Sequence, residues 1–142
     1  MSQARPHPYV VEEHVFRLVV ELERRKALRV QYAFSILTIV RELPEGLTVS
    51  PGAAEVSSIV ASVSRVIRAS DLIGLVPTSP AVRVLLVGAY LDEVDLVIRR
   101  IRAEIPPEVP LRFGVACFPA TDTTAEALLD RADLEAGLPA AG

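Results

Sequence analysis

Residues 111–133 read LRFGVACFPATDTTAEALLDRAD, and two kinds of order meet inside them. Leu111 to Phe118 reads as a strand, dense in apolar and β-favouring side chains. Thr123 stands three residues before Glu126, the spacing of a capping box. A helix is therefore expected to start there and to end near Gly137, a residue suited to the left-handed turn after a helix. Cys117 falls within the strand pattern and reads as an inert core thiol.

Upstream the pattern continues element by element. Pro106, Pro107 and Pro110 force an extended connector. Tyr90 to Glu104 reads as a helix with Leu91, Val94, Ile98 and Ile101 inward. Asp71 to Val76 and Val82 to Val87 read as a hairpin, turned by the segment from Pro77 to Pro80, because two prolines cannot both donate to a ladder. Ala53 to Arg68 is a helix with a stripe of Val56, Ile59, Val60, Val63, Val66 and Ile67. Leu43 to Gly52 holds two prolines and two glycines and is expected to be a loop. Val30 to Val40 is almost continuously apolar and reads as a central strand. Tyr9 to Leu28 reads as a helix whose inner face is Val11, Val15, Leu18, Val19 and Leu22.

This order predicts an α+β fold: a ferredoxin-like, palm-type βαββαβ sheet packed by helices, with an N-terminal lead-in helix and a C-terminal helix. One domain is expected over 9–137, with MSQARPHP a flexible tail over 1–8. The 142 residues are 51% hydrophobic with a net charge of -3, enough for a core and against disorder. Basic residues form no block, which argues against nucleic acid as a partner. One cysteine forbids an internal disulfide and fits a reducing, cytoplasmic setting. Apolar runs fall short of the roughly 18–20 residues that a membrane span needs, so no membrane insertion is expected.

The segment 111–133 resembles the end of the GGDEF (diguanylate cyclase) family, which closes with a strand like SIGVAxFP and a helix like TAEELLxRAD. Phe34 to Val40 is similar to the family's first strand, and Leu22-Glu23-Arg24-Arg25 to its lead-in. Gly88, Leu91, Arg100, Ile101 and Arg102 fall where the family has a strand end and a helix ending ERIR. The likeness covers about Tyr9 to Ala136. The GGDEF motif itself is replaced by Thr78-Ser79-Pro80-Ala81-Val82, so the resemblance is to a degenerate domain.

Active members of the family join two GTP molecules into cyclic di-GMP with the help of divalent metal, which wants carboxylate oxygens. The resemblance places the first such carboxylate at Val40 and the second at Pro80 or Ala81, neither of which has a ligand atom. Glu42 matches only a secondary acidic position. The loop after the first strand is shortened, and no counterpart to the family's guanine-binding Asn and Asp appears in it. The resemblance therefore implies no catalytic residue, no metal, no cofactor and no enzyme activity.

What survives is Arg68-Ala69-Ser70-Asp71, an RxxD pattern. In the family this is the inhibitory site for cyclic di-GMP, completed by an Arg that matches Arg100. Arg grips a guanine edge or phosphate with two hydrogen bonds, and Asp accepts from guanine N–H groups. Six residues separate Asp71 from the motif position, where the family has five. The alternative reading is local: Arg68 ends a helix, Asp71 starts a strand, and the pair caps the turn between them.

His14 lacks a second His or Cys at ligand spacing, and His7 lies in the tail, so no metal site is expected. Asp92, Glu93 and Asp95, like Asp130, Arg131 and Asp133, read as solvated helix surface. Three functions remain in view. One is an inactive signalling domain that binds a protein partner of unknown identity, gated by cyclic di-GMP and able to homodimerise. The second is a dedicated cyclic di-GMP receptor. The third is a different enzyme that reuses the fold with Glu42, Glu45 and Glu55.

Overall fold

The computed structural model describes residues 10–42, 54–77 and 79–138. The expected tail over 1–8, the loop over 43–52 and Thr78 lie outside the described residues. Among the described residues nine elements follow in order: β1 (Val10–Val11), α1 (Glu13–Val30), β2 (Phe34–Arg41), α2 (Ala54–Val66), β3 (Leu72–Leu75), β4 (Ala81–Val87), α3 (Leu91–Glu104), β5 (Leu111–Phe118) and α4 (Ala125–Glu135). The α+β expectation stands. The sheet order is β1-β3-β4-β2-β5, with β2 antiparallel to both β4 and β5 and β3 antiparallel to β4. β2 is thus an interior strand, as its unbroken apolar run requires.

The pleat sends alternate side chains to opposite layers. Leu37 and Ile39 join Val82, Val84 and Leu86 beneath α2 and α3, where Ile59, Val63, Val94 and Ile101 are buried. Phe34 and Ile36 join Leu85, Ala116 and Phe118 beneath α1 and α4, against Phe16, Val20, Leu128 and Leu129. Phe34 and Phe118, opposite one another in the register, stack at 5.3 Å.

The N-terminal part departs from expectation. Val10–Val11 is not helix but a short strand, parallel to β3. α1 then buries Phe16, Val20, Glu23 and Ala27, while Leu18 and Leu22 point outward. Residues four and three apart recur twice on this helix. The stripe that packs is the one containing a carboxylate, because Glu23 is satisfied there by the Tyr32 hydroxyl, which donates to it, and by Lys26 at 3.6 Å. β2 starts at Phe34 rather than Val30, since Gln31 closes α1 in a left-handed conformation. In α3, Val94 and Ile101 are buried as expected, but Leu91 is exposed. The N-cap of α4 is Thr124, not Thr123: its hydroxyl accepts from the Ala127 N–H at 3.2 Å. At the far end Gly137 has φ +88°, and the N–H groups of Gly137 and Leu138 donate back to the Leu134 and Asp133 carbonyls. This paired closure is the Schellman arrangement, which needs a residue free to adopt positive φ.

Burial, and next the Glu23 carboxylate, push the Tyr32 phenol well above its usual 10.0. A raised pKa stabilises the fold fully below pH 10, and the contribution is lost as pH rises beyond that. Tyr32→Phe is therefore expected to flatten the fall in stability above pH 10. Urea unfolding at stepped alkaline pH checks this, and an unchanged slope rejects it.

Candidate functional site

Three groupings carry the polar or chemically suggestive residues. The first is the end of the sheet where β2 finishes and the β3–β4 turn begins. Val40 lies directly opposite Ala81 in the register. Both are buried, in a small apolar cluster completed by Ala136 and Leu138, with Val76 packed against it. Leu138 reaches this cluster because the turn at Gly137 folds the chain back. Val82 is fully buried one residue on, opposite Ile39 and Leu75. Ser79 donates its N–H to the Val76 carbonyl, and the Pro80 carbonyl accepts from the Arg41 N–H at 2.8 Å. Glu42, exposed, faces Arg112 at 3.1 Å. Among the described residues no three His, Cys, Asp or Glu side chains stand together as a metal cage.

The second grouping joins the end of α2 to β4. Asp71 is buried, yet both its oxygens are used. Oδ2 accepts from the Arg68 N–H at 2.9 Å, and Oδ1 accepts from the Val87 N–H at 3.0 Å. The Arg68 guanidinium donates to the Val87 carbonyl at 2.5 Å and stands 3.8 Å from Asp71, with 64% of its side chain exposed. The carboxylate thus ties the turn after α2 to the strand beside it, while the guanidinium remains at the surface. Arg100 is exposed on α3. The structure brings Arg68 and Asp71 together, and no hydrogen bond or ion pair joins Arg100 to either.

The third grouping corrects the reading of Asp133 as wet surface. Asp133 is buried under α4 and receives the Arg83 guanidinium on both oxygens, at 3.1 and 2.6 Å. Thr38 donates to the same carboxylate at 2.8 Å, and Arg83 also reaches Glu13 of α1 at 3.1 Å. Burial works against the charge on Arg83, but the bonds to Asp133 and Glu13 prevail and hold its pKa above the usual value. Arg83, Thr38 and Gly114 form one row across β4, β2 and β5. Gly114 lets α4 settle so closely that a Cβ there would stand 1.9 Å from the Ala132 carbonyl oxygen. The sequence carries a signal for this knot: an arginine inside the apolar strand AVRVLLV requires a buried carboxylate partner. Asp130 and Arg131 remain at the helix surface, Arg131 paired with Asp122 at 2.5 Å.

The fold matches solved structures. A DGC protein from Thermotoga maritima superposes with a TM-score of 0.79 at 11% identity, covering 93% of this chain and 99% of that one. The fold is the GGDEF fold. The GGDEF domain of DgcB from Caulobacter crescentus, solved in complex with c-di-GMP, gives 0.75 at 10% identity over 94% of this chain and 88% of its own. Diguanylate cyclase SiaD from Pseudomonas aeruginosa, solved with its activator SiaC, gives 0.72 at 15% identity over 87% of this chain and 52% of its own. No family model and no curated protein matches the sequence. No helix among the described residues is long and apolar enough to cross a membrane. Of the positions that the resemblance offers for the acidic clamp, Val40 and either Pro80 or Ala81, the sheet register sets Val40 opposite Ala81.

Proposed function

We propose that this chain is a catalytically silent GGDEF-like signalling domain. It acts by binding a protein partner in a reducing, cytoplasmic setting and is gated by cyclic di-GMP at Arg68, Asp71 and Arg100. The observation that carries the reading is the Val40–Ala81 pair, buried with Ala136 and Leu138. Metal-assisted phosphoryl transfer needs hard oxygen ligands where charge gathers on the phosphates. Aliphatic side chains in a dry cluster supply none. SiaD, solved with its activator SiaC, is a precedent for partner binding by a protein that contains this fold, and DgcB with c-di-GMP for the nucleotide. Asp71 serves as the anchor of the gate, since both its oxygens hold backbone N–H groups. The exposed Arg68 is free to exchange the Val87 carbonyl for phosphate or a guanine edge.

Incubation with GTP and magnesium or manganese is expected to yield no cyclic di-GMP, and its accumulation would overturn the silent reading. Calorimetry with cyclic di-GMP tests the gate. Binding is expected in the wild type and should weaken at least tenfold in Arg68→Ala, because a charged two-pronged contact contributes about 1.5–3 kcal/mol. Equal heats in both proteins reject it. The exposure of Arg68 favours a second reading, a dedicated receptor for the same nucleotide. Pull-down from the native cytoplasm with and without cyclic di-GMP separates the two. Against a repurposed enzyme stands Glu42, which is engaged by Arg112; Glu45 and the Glu55 side chain lie outside the described residues.

A further inference from the structure

We infer that the peptide between Val87 and Gly88 is a switch. It flips when ligand arrives, withdraws the Val87 carbonyl from Arg68 and offers the Gly88 N–H to a ligand phosphate. The inference rests on the reading of Arg68 and Asp71 as a nucleotide gate, and it adds a binding group and a mechanism to that reading. In the structure the chain itself fills the gate. The Arg68 guanidinium donates to the Val87 carbonyl at 2.5 Å. An incoming phosphate must displace that oxygen, and the oxygen also repels an anion, because it is the negative end of the peptide dipole.

Both neighbours of this peptide are pinned from inside the fold. On one side the Val87 N–H donates to Asp71 Oδ1 at 3.0 Å, while Oδ2 of the same carboxylate holds the Arg68 N–H at 2.9 Å. On the other side Ala89 is buried, and its carbonyl accepts from the Ser35 hydroxyl at 2.8 Å. Between them Gly88 is exposed, has φ +78°, and has open space where a Cβ would stand. Flipping one peptide plane reverses ψ of the residue before it and φ of the residue after it. Val87 then moves from the extended to the helical region and Gly88 from positive to negative φ, all allowed conformations. Glycine makes the passage without a Cβ to obstruct it. After the flip the Gly88 N–H points where the carbonyl stood. It and the guanidinium then face the same spot, and two converging donors suit a phosphate oxygen. Asp71 keeps its place throughout, since the Val87 N–H belongs to the preceding peptide.

Substitution of Gly88 gives this switch a distinctive sign. An L side chain in the left-handed region is disfavoured by roughly tenfold, so Gly88→Ala should favour the flipped peptide before any ligand is present. A larger binding-competent fraction raises apparent affinity in proportion. Calorimetry is therefore expected to show cyclic di-GMP binding about tenfold more tightly to Gly88→Ala than to the wild type. A glycine that served the turn alone would lose affinity or leave it unchanged, and either result overturns the switch. Nuclear Overhauser spectra of the ligand-free proteins read the peptide directly. The wild type should show a strong contact between Val87 Hα and the Gly88 N–H, as extended backbone requires. Gly88→Ala should instead show a strong contact between the two successive N–H groups, and cyclic di-GMP should move the wild type toward that second pattern. Heat of binding with a variant that keeps the first pattern rejects the switch alone. No heat in either protein rejects the gate, and the switch with it.

Discussion

Gly114→Ala is expected to lower folding stability by about 3 kcal/mol or more, the upper range for overpacking, because the obstacle is backbone. The added Cβ would meet the Ala132 carbonyl oxygen at 1.9 Å and the Ala136 nitrogen at 2.6 Å. Neither atom rotates away, so α4 as a whole must lift from β5. Lifting it also draws Asp133 off Arg83. Gly74→Ala is the matched comparison: its Cβ would meet Phe16 Cγ at 2.5 Å and Phe16 Cβ at 2.9 Å, a milder overlap with a side chain that a change of χ1 partly relieves. Urea unfolding of the two variants should show the larger loss at Gly114. Equal losses would refute the argument from backbone contact.

Asp133→Ala is expected to cost about 3–5 kcal/mol, the range for removing one partner of a buried pair. A domain of this size has only about 5–15 kcal/mol in total, so the variant should melt well below the wild type. The loss comes from what remains. Arg83 keeps a buried charge with only Glu13 to meet it, and the Thr38 hydroxyl loses its acceptor. Replacing both members, Arg83→Met with Asp133→Leu, should restore much of the stability, since the desolvated charge then disappears. Thermal melts of the single and double variants decide the matter. A double variant no better than Asp133→Ala would mean that the pair contributes shape rather than charge compensation.

Much of the fold was legible because strong local signals agreed with tertiary need. β5 was read over the same residues that form it, and α2 was read from a stripe whose Val56, Ile59, Val60 and Val63 are buried. The hairpin was set by Pro77 and Pro80. The failures share a cause: a single sequence does not say which neighbour satisfies a polar side chain. Leu18 and Leu22 read as the inner face of α1, but the face that packs carries Glu23, which Tyr32 and Lys26 satisfy across the turn and along the helix. Asp133 looked solvated because its partner lies fifty residues away on another element. Val10–Val11 forms a strand only because β3 offers an edge. At the candidate site, the apolar character of Val40 and Ala81 was plain from their identities. Their direct opposition was not, since register depends on the whole sheet. The use of Asp71 as a tie to Val87 was equally hidden, because it rests on a contact between elements.

An acid placed at Val40 alone would sit against Ala81, Ala136 and Leu138. Cut off from water and without a cation, it would remain protonated at neutral pH and weaken the domain. An acid at Ala81 alone would meet the same fate. Turning this end of the sheet into a charged, ion-holding cleft would therefore take two acids and a displaced turn at Gly137 together.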